Sequence, residues 1–138
     1  MKLTKYTLMI IISTILSFTQ KKDLDQRLLG KWVNLHAKDP DGKIIKDEFY
    51  GKKYIDTFLK NGQYLIDPNF LRDDMRRNGI KEPLDYSLIP SFSWKTYDNQ
   101  ILEIETSEGF QKIRYNFLGD TLVLGYQNGN ARYLLKIK

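Results

Sequence analysis

The 138-residue chain contains no cysteine. A disulfide framework, a thiolate metal site and a cysteine nucleophile are thereby excluded, and stability has to come from packing. Histidine occurs once, at His36, so imidazole clusters that hold zinc are excluded as well. Dense basic tracts are missing: 22 Lys and Arg are scattered among 17 Asp and Glu, for a formal charge of +5. That pattern argues against a nucleic-acid footprint. No phosphate-binding glycine loop, nucleophile–base constellation or zinc-ligand spacing occurs. The chain is therefore expected to be non-enzymatic, with no catalytic residue, metal or cofactor.

The first segment present reads as an address. Lys2 and Lys5 precede an uncharged run over residues 6–18 that holds Leu8, Ile10, Ile11, Ile12, Ile15 and Leu16, before Gln20, Lys21 and Lys22 restore polarity. This run is shorter than the roughly 20 residues a spanning helix needs. Ser17 and Thr19 supply small residues for cleavage ahead of Gln20. Residues 1–19 are thus read as a signal peptide, 20–27 as a charged leader and 28–138 as one domain. No acylatable cysteine follows the signal. The mature chain is expected in the periplasm or outside the cell, without a stable membrane anchor.

Hairpin chemistry dominates the remainder. From residue 92 onward apolar side chains recur at every second position: Trp94 and Thr96, then Leu102, Ile104 and Thr106, then Ile113, Tyr115 and Phe117, then Leu122, Leu124 and Tyr126, then Tyr133, Leu135 and Ile137. Asp98-Asn99, Glu108-Gly109, Gly119-Asp120 and Asn128-Gly129 separate these runs and tolerate the backbone angles of tight turns. Upstream, a strand starts near Leu28 and ends at Asp39-Pro40-Asp41-Gly42. Further strands are expected over 43–49, 54–59 and 63–66, the last two joined by Asn61-Gly62 as a type I′ turn.

One stretch breaks this rhythm. Asp67 can cap a helix with Pro68 in its first turn, Phe70, Leu71 and Met75 follow at helical spacing, and Asn78-Gly79 supplies a stop. A helix is expected over 68–77 and an irregular loop over 80–91, where Pro83 and Pro90 deny donors to a sheet. The insertion 68–91 reads either as a lid or as a plug for one end of the fold. Nine strands in an antiparallel meander leave edges that closure removes. The predicted fold is all-β: an up-and-down barrel of eight to ten strands carrying one short helix, with an interior that is filled or holds one small ligand.

Leu29-Gly30-Lys31-Trp32, the Asn61-Gly62 hairpin, Ser93-Trp94-Lys95 followed by Asn99-Gln100-Ile101-Leu102, and Asp120-Thr121-Leu122-Val123-Leu124 before Tyr133 resemble the small lipocalin-like proteins of Bacteroidetes. Gly30-Lys31-Trp32 is similar to the Gly-x-Trp of lipocalin first strands. The resemblance implies an eight-stranded barrel without enzymatic activity, and an apolar ligand in its mouth. It also implies that Trp32 closes one barrel end beneath Arg132, with Gly30 beside it, a cation–π contact worth about 0.5–2 kcal/mol. The insertion departs from that pattern.

Trp94, Tyr115, Tyr126 and Tyr133 are the ligand-lining candidates, and Phe70, Leu71 and Met75 the inward face of a lid whose Arg72, Asp73 and Arg76 face water. His36 is in phase with Trp32 and Asn34 and reads as a wall residue. Glu103 and Glu105 alternate with Leu102 and Ile104, which places them on a solvated outer face. Two partners fit this reading: a small apolar molecule in the barrel, or a protein bound through the insertion if side chains of the two Trp, nine Tyr and seven Phe fill the interior.

Overall fold

The computed structural model describes residues 22–138. The expected signal segment 1–19 lies outside the described residues. Among the described residues no helix is long and apolar enough to cross a membrane.

Eight strands close an antiparallel up-and-down barrel. In chain order they follow β1 (Lys22–Asp23) as β2 (Gly30–Lys38), β3 (Ile55–Phe58), β4 (Gln63–Leu65), β5 (Ser91–Tyr97), β6 (Ile101–Thr106), β7 (Gly109–Leu118), β8 (Thr121–Gly125) and β9 (Ala131–Lys136). Each of β2 to β8 pairs with the next, and β9 returns to β2, so among the described residues these eight strands leave no open edge. One helix, α1 (Pro68–Arg77), lies between β4 and β5. It has the expected bounds because Asp67 accepts from the Asn69 amide and Pro68 occupies the first turn.

The strand inventory differs from expectation in two places. Residues 43–49 form no strand and keep only a bridge between Ile44 and Lys38. Ile44 and Ile45 are adjacent and three polar residues follow, so no face of that segment alternates, and only Phe49 turns inward. In exchange, the leader is part of the fold. β1 pairs with β5 through Asp23 and Thr96, beyond the point where β4 stops at Ser93. A 3-10 turn, Gln26–Leu28, then carries the chain across the barrel end.

Two turns show how local chemistry sets the hairpins. Asp98 and Asn99 both have positive φ, 51° and 54°, as short polar side chains permit. At Asn61-Gly62 only the glycine does (φ 83°), and its amide bonds Leu59 O. That connection is a type I turn closed by a glycine bulge, one residue longer than the expected type I′ turn.

The core gathers at the end where β2 starts. Leu28, Trp32, Phe58, Trp94, Leu102, Leu122 and Leu134 are buried there and down the barrel axis. Burying each such side chain stabilises the fold by about 1.5–3 kcal/mol. A bulge between Asn34 and His36 then reverses the face of β2. His36 is therefore not in phase with Trp32 and Asn34: it points outward and packs its ring 4.8 Å from that of Tyr133.

Candidate functional site in the barrel interior

The two ends of the barrel are built differently. At the end crossed by the leader, the Trp32 indole is 2% exposed and donates to Leu28 O at 2.8 Å. Its ring is covered by the ammonium of Lys136, 4.6 Å from the ring centroid, and that ammonium bonds Leu29 O. The sequence-expected cover, Arg132, is not there. Gly30 sits beneath the same lysine, with φ at 111° and a side chain's first carbon only 3.0 Å from Lys136 Nζ, so glycine is required.

Beside it Asp25, from the leader, is buried and its carboxylate accepts four hydrogen bonds: from the Tyr115 hydroxyl at 2.7 Å, Arg27 Nη2 at 2.7 Å, Arg27 Nε at 3.1 Å and the Arg27 amide at 3.0 Å. Burial works against its charged form, but the bonds from Arg27 and Tyr115 outweigh it and hold the carboxyl below its usual range. Burial, reinforced by the Asp25 carboxylate, pushes the Tyr115 hydroxyl well above its ordinary value. Thr96 completes the cluster by accepting from the Asp25 amide and donating to Asp23 O. Tyr115 is thus tied into this closed end; it borders an open cleft of about 440 Å³ beside Arg27, Gln100 and Phe117 and not the interior space.

Toward the other end, the packing leaves room. A cavity of about 200 Å³ lies inside the barrel, bordered by Phe92, Ile104, Ile113, Leu124, Tyr126 and Arg132. A smaller space of about 100 Å³, between Phe49, Tyr54, Phe70 and Asp67, adjoins it. Asp56, Tyr64, Ile66 and Arg132 border both.

Arg132 is the central group. Its side chain is 13% exposed and enters the barrel because β9 presents Arg132, Leu134 and Lys136 inward. Its Nε donates to Asn34 Oδ1 at 3.1 Å, Nη1 lies 4.0 Å from Asp56 Oδ2, and the guanidinium carbon sits 4.0 Å above the Phe49 ring. Nη2 is buried and has no hydrogen-bond partner among the described residues. A buried donor left unsatisfied costs about 1–3 kcal/mol, and more when charged.

The surroundings accentuate that polarity. Burial pushes the Asp56 carboxyl above its usual range, although Arg132 pulls it back. The Tyr64 hydroxyl rises well above its ordinary value, through burial and then through the neighbouring Asp56 charge. Burial likewise raises Tyr126, against the pull of Arg132.

The sequence-selected lining residues divide. Tyr126 borders the cavity. Trp94 does not: it is fully buried, donates to Leu59 O at 3.1 Å and meets Phe58 edge-on. Tyr133 is on the outer face, against His36 and Lys38. Three of the four candidates thus lie away from the cavity: Trp94 and Tyr115 are buried in the core of β5 and β7, and Tyr133 faces outward because β9 has the opposite parity from the one its apolar residues suggest.

The insertion lies over the cavity end, but only one of its three candidate residues faces in. Phe70 stacks on Phe49 (5.0 Å between centroids, 7° between planes) and meets Tyr54 edge-on. Met75 instead borders an outer cleft against Ile80 and Leu84. Leu71 is half-buried and borders neither interior space. Asp73, expected to face water, accepts from the Tyr54 hydroxyl at 2.6 Å and so clasps the helix to the residue that leads into β3. That bond holds its carboxyl below the usual range. Glu103 also departs from expectation. It is on the outer face but buried, under the Tyr97 hydroxyl at 3.0 Å and Lys112.

Among the described residues no group of three or more His, Asp or Glu side chains is placed to hold a metal ion. Comparison of the chain with protein-family models, curated proteins and solved structures finds no match. What the geometry defines is a class: an antiparallel β-barrel with one packed end and one end holding a small, polar-edged cavity.

Proposed function

We propose that this protein is a lipocalin-like, non-enzymatic carrier that holds one small molecule inside its barrel, and that its N-terminal segment exports it to the periplasm or beyond. The supporting observation is a cavity bordered by Arg132, whose Nη2 is buried without a partner among the described residues. Solid cores seldom retain a buried donor without a partner, whereas binding sites set a few polar groups among apolar walls. At about 200 Å³ the space is below the roughly 300–1,000 Å³ of typical ligand pockets, so this reading requires a small cargo. Native mass spectrometry of protein purified from its own host tests this. A co-purifying molecule of about one ring is expected; an empty protein whose interior resonances also ignore added small-ring compounds would overturn the reading. The same preparation reports the address, with a mature N-terminus near Gln20 in the soluble extracytoplasmic fraction.

A second reading, a module that binds a secreted protein, is favoured by the insertion. Tyr86 and Leu88 are 66% and 76% exposed beside the cleft that holds Met75 and Ile80. Isolated exposed apolar residues are common, so this is the weaker case. Crosslinking through the 80–88 loop, with Tyr86→Ser as the control, would separate the two.

A further inference from the structure

Arg132 and Asp56 restrict what the cavity accepts. The guanidinium already faces one carboxylate, Asp56 at 4.0 Å, and a second buried one, Asp67, borders the adjoining space, where it takes the Ile55 and Asn69 amides. An anionic ligand would add a further negative charge to a site removed from water, where unbalanced charge is costly. A cationic ligand would meet the Nη2 hydrogens of Arg132, which need an acceptor. A neutral acceptor satisfies Nη2 without adding charge. The Asp56 carboxylate beside it, acceptor-only when ionised, suits an N–H on the same ligand.

Size and shape restrict it further. An apolar cavity of about 150 Å³ holds a benzene ring, so about 200 Å³ lined by Phe92, Ile104 and Leu124 accommodates one ring with a short polar group. Gln111 is exposed and borders the same space, which places the entrance on the β6–β7 side rather than under the helix.

Building on the carrier reading, we propose that the barrel binds a neutral planar ring compound carrying an amide or lactam, with its carbonyl accepting from Arg132 Nη2 and its N–H donating to Asp56. Three probes of nearly equal shape isolate the charge: benzamide, benzoate and benzamidine, titrated into the full mature chain at pH 7 and followed by amide and methyl chemical shifts. Benzamide should bind at least fivefold more tightly than either charged analogue, and should shift Ile104, Ile113 and Leu124. Asp56→Asn, which keeps the shape, should raise benzoate affinity about tenfold while changing benzamide less than threefold. Arg132→Met should abolish the preference for benzamide over toluene, with folding checked by the retained dispersion of the Trp32 and Trp94 indole signals. Preference for benzoate or benzamidine, or equal binding of toluene and benzamide by the parent protein, would overturn the amide assignment and leave the carrier reading standing. No interior shift with any probe, toluene included, would remove both.

Discussion

The two ends of this barrel show what separates a wall from a site. Where the leader crosses, Asp25 meets Tyr115 and Arg27, Thr96 bonds the leader backbone, and Trp32 donates to Leu28 O under Lys136. Buried polarity there is matched by partners. Toward the helix, Asp56 and Arg132 stand 4.0 Å apart beside empty volume, and Nη2 has none. Both ends use acids and bases, Asp25 with Arg27 and Lys136 at one and Asp56 and Asp67 with Arg132 at the other, and both use aromatic rings. The difference is completeness: the first end is finished by the chain itself and the second is left for something else.

The largest expected effect probes the finished end. Trp32→Ala removes a buried indole and should lower stability by about 3–5 kcal/mol in chemical denaturation. A loss below about 1 kcal/mol would show that this end is not the anchor of the fold.

Asp25→Asn sharpens the comparison. It weakens the bonds to Arg27 and Tyr115 and should cost about 1–3 kcal/mol at neutral pH. The pH dependence has a definite sign. Asp25 titrates below its unfolded value of 3.8 when folded, so its contribution is complete above that value and disappears as pH falls through the lower native one. The asparagine variant should therefore lose less stability than the parent on acidification below about pH 4.

Asp56 carries the opposite sign. Its carboxyl is raised above 3.8, so the native state holds that proton more tightly than the unfolded chain does. Its contribution to stability weakens as pH rises from 3.8 through the native value. Asp56→Asn should flatten stability over that interval and leave the more acidic limb unchanged. Matching profiles for the two variants would remove the distinction between the ends. A smaller effect, about 1 kcal/mol, is expected for Phe70→Ala, because that ring is only partly withdrawn from water. Unfolding on this substitution would make the helix a structural plug.

The barrel was legible because its hairpins are local. Alternation in Ile113, Tyr115 and Phe117, and turn residues at Asp98-Asn99, report period and reversal without reference to distant partners. The Pro68–Arg77 helix was legible for the same reason, through Asp67 and Pro68. The site was not. In β9, Leu134 and Leu135 are adjacent, and the apolar series Tyr133, Leu135, Ile137 points to the wrong face. The register fixes Arg132 and Lys136 inside: Lys136 faces Trp32 before the β2 bulge, and Arg132 faces Ala37 after it and Leu124 on β8. Lys136 therefore takes the place over Trp32 that was expected of Arg132, and Arg132 enters the other end over Phe49. Asp25 was concealed similarly, as one acid in a charged leader, although Leu24 and Leu28 around it are spaced as anchors.

The sharpest single test replaces the unfinished pair by apolar groups. Stability of Arg132→Met combined with Asp56→Leu is measured by denaturant unfolding beside that of the parent. Buried ion pairs can be exchanged for apolar side chains at no loss, or with a gain of about 1–4 kcal/mol. If the pair is kept for a ligand, the double variant should unfold within about 1 kcal/mol of the parent, or later, and should no longer distinguish benzamide from toluene. A loss beyond about 2 kcal/mol would show that Arg132 and Asp56 hold the barrel together, and would contradict a division between a packed end and a binding end.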